Sequence, residues 1–243
     1  MKCKLTPSIV IRSIAFWVLS ASVLPFYAIL ALLIMKLKPQ TRHMIIRSAA
    51  YYFTFLLVHV GRIKYKVVGL DNVDKSRPSI YVGNHQSAWE TVALNCFLPP
   101  LVWIMKKEVF KIPFYGWAVR AMSTIAIDRS KGEDSLQQVI TQGNDRFELG
   151  FSIAMFPEGT RVKPGVRKPF KYGVGKLALN LNVPVIPIAH NAGVCLPRNS
   201  FWLYPGTVDV VIGEAIYPDN DDPVLFTQKI EKWVYNELNK MGS

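Results

Sequence analysis

The two residues of this chain best suited to move a proton are His85 and Glu90, in the stretch Asn84-His85-Gln86-Ser87-Ala88-Trp89-Glu90. Imidazole titrates near neutral pH. A carboxylate that accepts the proton of one ring nitrogen leaves the other nitrogen free as a general base. Five residues turn a helix by about 500°, so the pair cannot share a face of one continuous helix. They can meet if His85 lies on a turn and Glu90 in the first turns of the helix that follows. The same letters allow a structural reading, because Ser87-Ala88-Trp89-Glu90 is also a capping box that closes a helix start. On these residues alone the two readings stand level.

A second stretch tips the balance. Phe156-Pro157-Glu158-Gly159-Thr160-Arg161 follows another apolar, strand-like run. Lys107-Glu108-Val109-Phe110-Lys111-Ile112-Pro113-Phe114-Tyr115-Gly116 lies between the two, and Val183-Pro184-Val185-Ile186-Pro187 follows them. In this order the four segments resemble the boxes of the glycerolipid acyltransferases, the 1-acyl-glycerol-3-phosphate acyltransferase family. The likeness covers roughly residues 60–215. Glu90 departs from it, since most members carry Asp there.

The resemblance implies an acyl transfer in which an acceptor hydroxyl attacks an acyl thioester directly, without an acyl-enzyme. His85 and Glu90 are then the catalytic pair. Lys107, Glu158, Gly159, Thr160 and Arg161 are expected to bind substrate. Arg161 suits a phosphate because guanidinium offers paired donors. Glu158 would repel a phosphate, so it is expected to orient Arg161 or to bond a glycerol hydroxyl. Lys106, Lys163, Arg167, Lys168 and Lys171 form a weaker basic set that serves lipid or donor phosphates, or merely water. No metal or cofactor is expected, only acyl-CoA or acyl-carrier protein as co-substrate. Phe110, Phe114, Tyr115 and Trp117 suit an acyl chain, a membrane or a core equally. Gly150-Phe151-Ser152-Ile153-Ala154 looks like a degraded nucleophile elbow, but an apolar run continues to Phe156 where a helix should begin, so it is rejected.

Several elements must position these residues. Pro78–Val82, Leu101–Met105, Ser123–Ile127, Phe151–Phe156, Val183–Ile188 and Thr207–Ile212 read as short strands. Ile63, Tyr65 and Val67 alternate with basic residues, as in a half-exposed strand. Helices are expected from Thr91, over 133–149 and 171–182, and over 224–239 with Leu225, Ile230, Trp233, Val234 and Leu238 apolar. Alternating strands and helices predict an α/β fold, a largely parallel (mixed) sheet flanked by helices.

The 243 residues allow one substantial core. The net charge of +12, with half the residues hydrophobic, favours an anionic membrane over nucleic acid, for which no signature appears. Cys3, Cys96 and Cys195 show no pairing pattern. Ser13–Met35 is 23 residues without a charge, enough to span a bilayer, and Pro25 permits a kink that would let it enter and return. Ser48–Val60 is apolar but short, as an interfacial helix would be. The expectation is a membrane anchor over 1–61 and an acyltransferase domain over 62–243, at a bacterial inner membrane with the catalytic domain on the cytoplasmic side. Membrane lipids, lysophosphatidic acid and the acyl donor are the expected partners. The alternatives are another lyso-lipid acceptor, such as a lyso-ornithine lipid, an inactive membrane-binding relative, or a serine lipid hydrolase.

Overall fold

The computed structural model describes residues 4–128, 130, 134–218 and 222–242. Seven strands form one sheet: β1 (Ile63–Val68), β2 (Ile80–Gly83), β3 (Leu101–Lys106), β4 (Ile125–Ile127), β5 (Ser152–Met155), β6 (Val185–His190) and β7 (Gly206–Ile212). Their order is β1-β7-β6-β2-β5-β3-β4. Every neighbouring pair is parallel except β6 with β7. The sheet is therefore mixed, with a long parallel part, as expected. Strands β2 and β6 are buried along their whole length, which is why they read as unbroken apolar runs.

Helices cover both faces. One face carries α1 (Pro7–Leu33), α2 (Pro39–His59) and α3 (Trp89–Phe97), whose Phe16, Leu56, Leu57 and Trp89 share a core with Tyr81, Leu101 and Ile186 of the sheet. The other carries α5 (Asp134–Glu148), α6 (Gly173–Leu181) and α7 (Pro223–Lys240), with Val139, Leu177, Phe226 and Ile230 against Val82 and Ile153. Residue 133, expected to begin the α5 helix, lies outside the described residues. A short helix α4 (Tyr115–Ala121) was not anticipated. It starts right after Phe114, which holds a positive φ of 64°.

The N-terminal helices start well before the charge-free stretches. Thr6 caps α1 and Pro7 occupies its first turn, where a missing N–H costs nothing. Pro25 lies inside α1, which is continuous from end to end. Among the described residues α1 is the one helix long and apolar enough to cross a membrane, with a mean hydropathy of 2.1. It is also packed on the protein: Ser13 Oγ accepts the amide of Leu203 at 2.9 Å, and Trp17 donates to the carbonyl of Phe201 at 2.8 Å. Its other side is bare, with Ile11 67%, Phe26 63% and Leu33 76% exposed. Helix α2 begins at Pro39, ahead of the apolar stretch that starts at Ser48, and carries Arg47 buried inside it. Its guanidinium donates to the carbonyls of Asn95 and Leu98 at 2.7 and 2.6 Å, satisfying orphan groups at the end of α3. The division expected near residue 61 falls at the turn between α2 and β1. There Gly61 is pressed so close to Leu57 O and Leu203 that a Cβ would lie 2.8 Å from each.

Candidate active site

Strands β2 and β5 lie side by side and parallel at the centre of the sheet, with Val82 opposite Met155. His85 and Glu158 each come three residues after those partners, so two boxes distant in sequence emerge at the same sheet end. Carboxyl ends of parallel strands are where α/β folds form ligand crevices.

Glu90 is fully buried on the first turn of α3, and its Oε1 lies 2.7 Å from His85 Nδ1. A carboxylate can only accept, so the imidazole proton sits on Nδ1 and Nε2 keeps its lone pair. The same Oε1 accepts the amides of Gln86 at 2.9 Å and Ser87 at 2.7 Å. The Ser87 contact is half of the capping box. The other half is absent, because Ser87 Oγ accepts the amide of Trp89 at 3.1 Å instead. Capping and orienting are thus done by one oxygen. Burial opposes charge on Glu90, while His190, His85 and the Ser87 amide favour it, and the net holds the carboxyl below its ordinary range. His190 itself is fully buried and pushed down by burial. It is pinned to Asn84 through three contacts: Asn84 Nδ2 to His190 O at 2.8 Å, His190 N to Asn84 Oδ1 at 3.0 Å, and His190 Nε2 to Asn84 O at 2.8 Å.

The imidazole is also fixed by stacking. Phe156 lies flat against His85, with ring centroids 4.3 Å apart and planes 2° from parallel, and Trp103 stacks behind Phe156 at 5.3 Å. His85 and Phe156 follow the ends of the neighbouring strands β2 and β5, and Trp103 stands within β3 beside them. Phe156 was visible as the first letter of its box, but nothing in the letters marked it as the wall of the histidine.

Glu158 is only 1% exposed, and it faces the protein. Its Oε2 accepts the amide of His85 at 2.7 Å, and its Oε1 lies 3.1 Å from the Tyr235 hydroxyl of α7. It bonds neither Arg161 nor open space. Burial is the main cause that raises its pKa to about 7, with nearby Glu90 adding and the His85 amide, Tyr235 and Lys168 opposing. Gly159 turns the chain at φ 70°, a left-handed conformation that favours glycine, with the stem of Lys171 against it. Val162 N donates to His85 O at 2.7 Å, which brings the Arg161 segment beside the base. Arg161 is partly exposed, and its guanidinium makes no hydrogen bond or ion pair within the described residues. It stands close enough to Tyr115 of α4 that its charge favours the phenolate, against a burial that raises the Tyr115 pKa. Thr160 is half-buried beside it.

Lys107 stands at the same sheet end, just past β3 and two strands from His85. It is 47% exposed and ion-paired with Asp128, which follows β4. The structure thus gathers His85, Glu90, Glu158, Gly159, Thr160 and Arg161, and sets Lys107 apart with an acidic partner. Ser152 of the rejected elbow is buried in β5, with its Oγ accepting the amide of Ser79. A cavity of 450 Å³, lined by Ile104, Ile127, Leu136, Val139, Met155 and Phe156 and on another side by Lys171 and Lys176, opens next to the ring stack and Gly159.

A histidine held by a buried carboxylate, with the Arg161 segment bonded to its backbone and a cavity opening beside its ring stack, is an arrangement able to take up a proton next to a positive charge. The Acyltransferase family model matches residues 64–191, more than half of the chain. Over 237 residues the chain is 35% identical to a 1-acyl-sn-glycerol-3-phosphate acyltransferase of Pseudomonas aeruginosa, covering 96% of this chain and 92% of that one. A 1-acyl-sn-glycerol-3-phosphate acyltransferase of Saccharomyces cerevisiae is 27% identical over 203 residues, 80% of this chain and 66% of that one. The crystal structure of the 1-acyl-sn-glycerophosphate (LPA) acyltransferase from Thermotoga maritima superposes with a TM-score of 0.80 at 22% identity, covering 97% and 96% of the two chains. The chain belongs to this acyltransferase family.

Proposed function

We propose that this chain transfers an acyl group from an acyl thioester to the 2-hydroxyl of 1-acyl-glycerol-3-phosphate, giving phosphatidic acid and a free thiol. The observation that carries the reading is the His85–Glu90 contact of 2.7 Å, which leaves Nε2 unprotonated. His85 Nε2 takes the hydroxyl proton as the oxygen attacks the thioester carbon. Glu90, kept as a carboxylate, stabilises the imidazolium. The tetrahedral intermediate then expels the thiolate, which takes the proton back from His85. Every step balances with acceptor, donor and His85 alone.

Arg161 grips the acceptor phosphate, with Lys107 as a second cation and Thr160 as a hydroxyl donor. The cavity beside Phe156 takes an acyl chain. Glu158 serves from behind, fixing the backbone of the base. The donor is acyl-CoA or acyl-carrier protein.

The bare apolar side of α1, continued by Met44, Tyr51 and Phe55 on α2, supports attachment to a bilayer. We assign the chain to a bacterial inner membrane with the catalytic domain on the cytoplasmic side. High salt should then fail to release the protein while detergent succeeds, because hydrophobic attachment is not screened. Release by salt alone would end the anchor reading.

The function is tested by incubating purified protein with labelled acyl-CoA and a panel of lyso-lipids. Labelled phosphatidic acid from lysophosphatidic acid is expected. Labelling only of a phosphate-free acceptor would overturn the assignment.

A further inference from the structure

Helix α7 starts at Pro223, beyond the residues 64–191 that the family model matches, yet it supplies a side chain to the wall of the site. Tyr235 is buried, and its hydroxyl has three polar neighbours: Glu158 Oε1 at 3.1 Å, and the amide and carbonyl of Lys168, each at 2.8 Å. The Lys168 amide can only donate to the phenol and the Lys168 carbonyl can only accept from it. One phenolic proton cannot serve both that carbonyl and a carboxylate. If Glu158 carries the proton on Oε1, every contact is satisfied: Glu158 donates to the phenol, and the phenol donates to Lys168 O. Glu158 Oε2 remains an acceptor for the His85 amide at 2.7 Å.

Resting on the acyl-transfer reading above, we propose that Tyr235 is a positioning residue of the site, orienting Glu158, itself a neutral acid, so that Glu158 fixes the backbone of His85. The charged groups around this pair pull in both directions. Glu90 lies near Glu158 and disfavours a second negative charge, while Lys168 favours one. Around the phenol, Arg167 stacks over the ring at 5.1 Å and Glu231 accepts the amide of Phe170 at 2.9 Å. Burial moves the Glu158 carboxyl in the same direction. A neutral Glu158 also avoids repelling an anion drawn to Arg161. Helix α7 thereby ties the basic segment 167–170 and the catalytic backbone to one hydroxyl.

The test is steady-state kinetics of the full-length protein in detergent with lysophosphatidic acid and acyl-CoA. Tyr235→Phe should lower kcat about tenfold, the worth of one buried hydrogen bond and its disordered partner, with both KM values little changed. Glu158→Leu should lose more. Glu158→Gln should recover most of that loss, because an amide accepts from His85 N and donates to Tyr235 as the neutral acid does. Infrared spectra at mildly acid pH should show a protonated carboxyl band that Glu158→Gln lacks. Glu158→Gln as inactive as Glu158→Leu, or a Tyr235→Phe variant with lower thermal stability but normal kcat, would overturn the proposal. His85→Ala is run beside them. If it too keeps normal turnover, the acyl-transfer reading has failed; if it alone is dead, only the role of Tyr235 has.

Discussion

The floor and the rim of the site are built on different principles. On the floor, His85, Glu90, Glu158, Asn84 and His190 are buried or nearly so, and each is bonded to another part of the protein. On the rim, Arg161 and Lys107 keep access to solvent, and among the described residues Lys107 is ion-paired with Asp128. Proton transfer demands geometry fixed in advance, because a misplaced base loses rate steeply. Capture of a diffusing anion demands charge that is still available. The floor should therefore govern kcat and the rim KM.

Substitutions can break that division. The largest effect belongs to His85→Ala, which should lower kcat by about 10²- to 10⁴-fold while the protein stays folded. Glu90→Gln comes next, since an amide oxygen in place of Oε1 can still accept the N–H groups but carries no charge to stabilise an imidazolium. Glu90→Asp should keep part of the activity. A Glu90→Gln enzyme that is active but melts earlier would reduce Glu90 to a helix cap.

On the rim, Arg161→Ala should raise the acceptor KM by about tenfold or more and leave the donor KM alone, as the loss of a charge-assisted pair predicts. Arg161→Lys should recover only part. Equal effects on both substrates would make Arg161 a structural loop residue. Asp128→Asn is expected to act more gently, lowering the acceptor KM about twofold to fivefold by releasing Lys107, as an exposed ion pair allows. Initial rates at varied acceptor concentration measure both.

The smallest effect on rate, and the sharpest within the floor, separates its two glutamates by pH. Glu90 is held below its ordinary range, so its stabilisation is present above that range and lost as pH falls. Glu158 is raised to about 7, so its stabilisation is full below the ordinary glutamate range and declines as pH rises toward about 7. The span corresponds to a decline on the order of 3 kcal/mol. Thermal unfolding of Glu158→Gln should lack this decline, and a decline of the same size in that variant would assign it elsewhere.

Much of the floor could be read from the letters. The strand-turn-helix around His85 and the box at Phe156 follow from apolar runs, and parallel neighbours at the centre of a sheet bring such ends together. Glu158 was legible as a site residue but not in its direction: a charged letter in a turn suggests solvent, whereas burial under α7 turns it inward. Tyr235 lay in a periodic apolar helix, and nothing in that pattern distinguishes a core phenol from one bonded to a carboxyl 77 residues away. Arg47 misled for the converse reason, since a charge in an apolar run reads as a boundary unless its carbonyl partners are known. Helix α4 begins after a proline and a left-handed phenylalanine, a start that propensity does not foresee.

Arg47 has a mechanical consequence. Its guanidinium grips both Asn95 O and Leu98 O at the tail of α3, whose first turn carries Glu90. Helix α3 therefore cannot slide along its axis without dragging α2. On the membrane-attached reading, α2 rests at a depth set by the lipid, and the height of His85 above that surface is gauged by Arg47, together with Cys96 bonded to Ala50 and Thr54 of α2, instead of by the length of a tether.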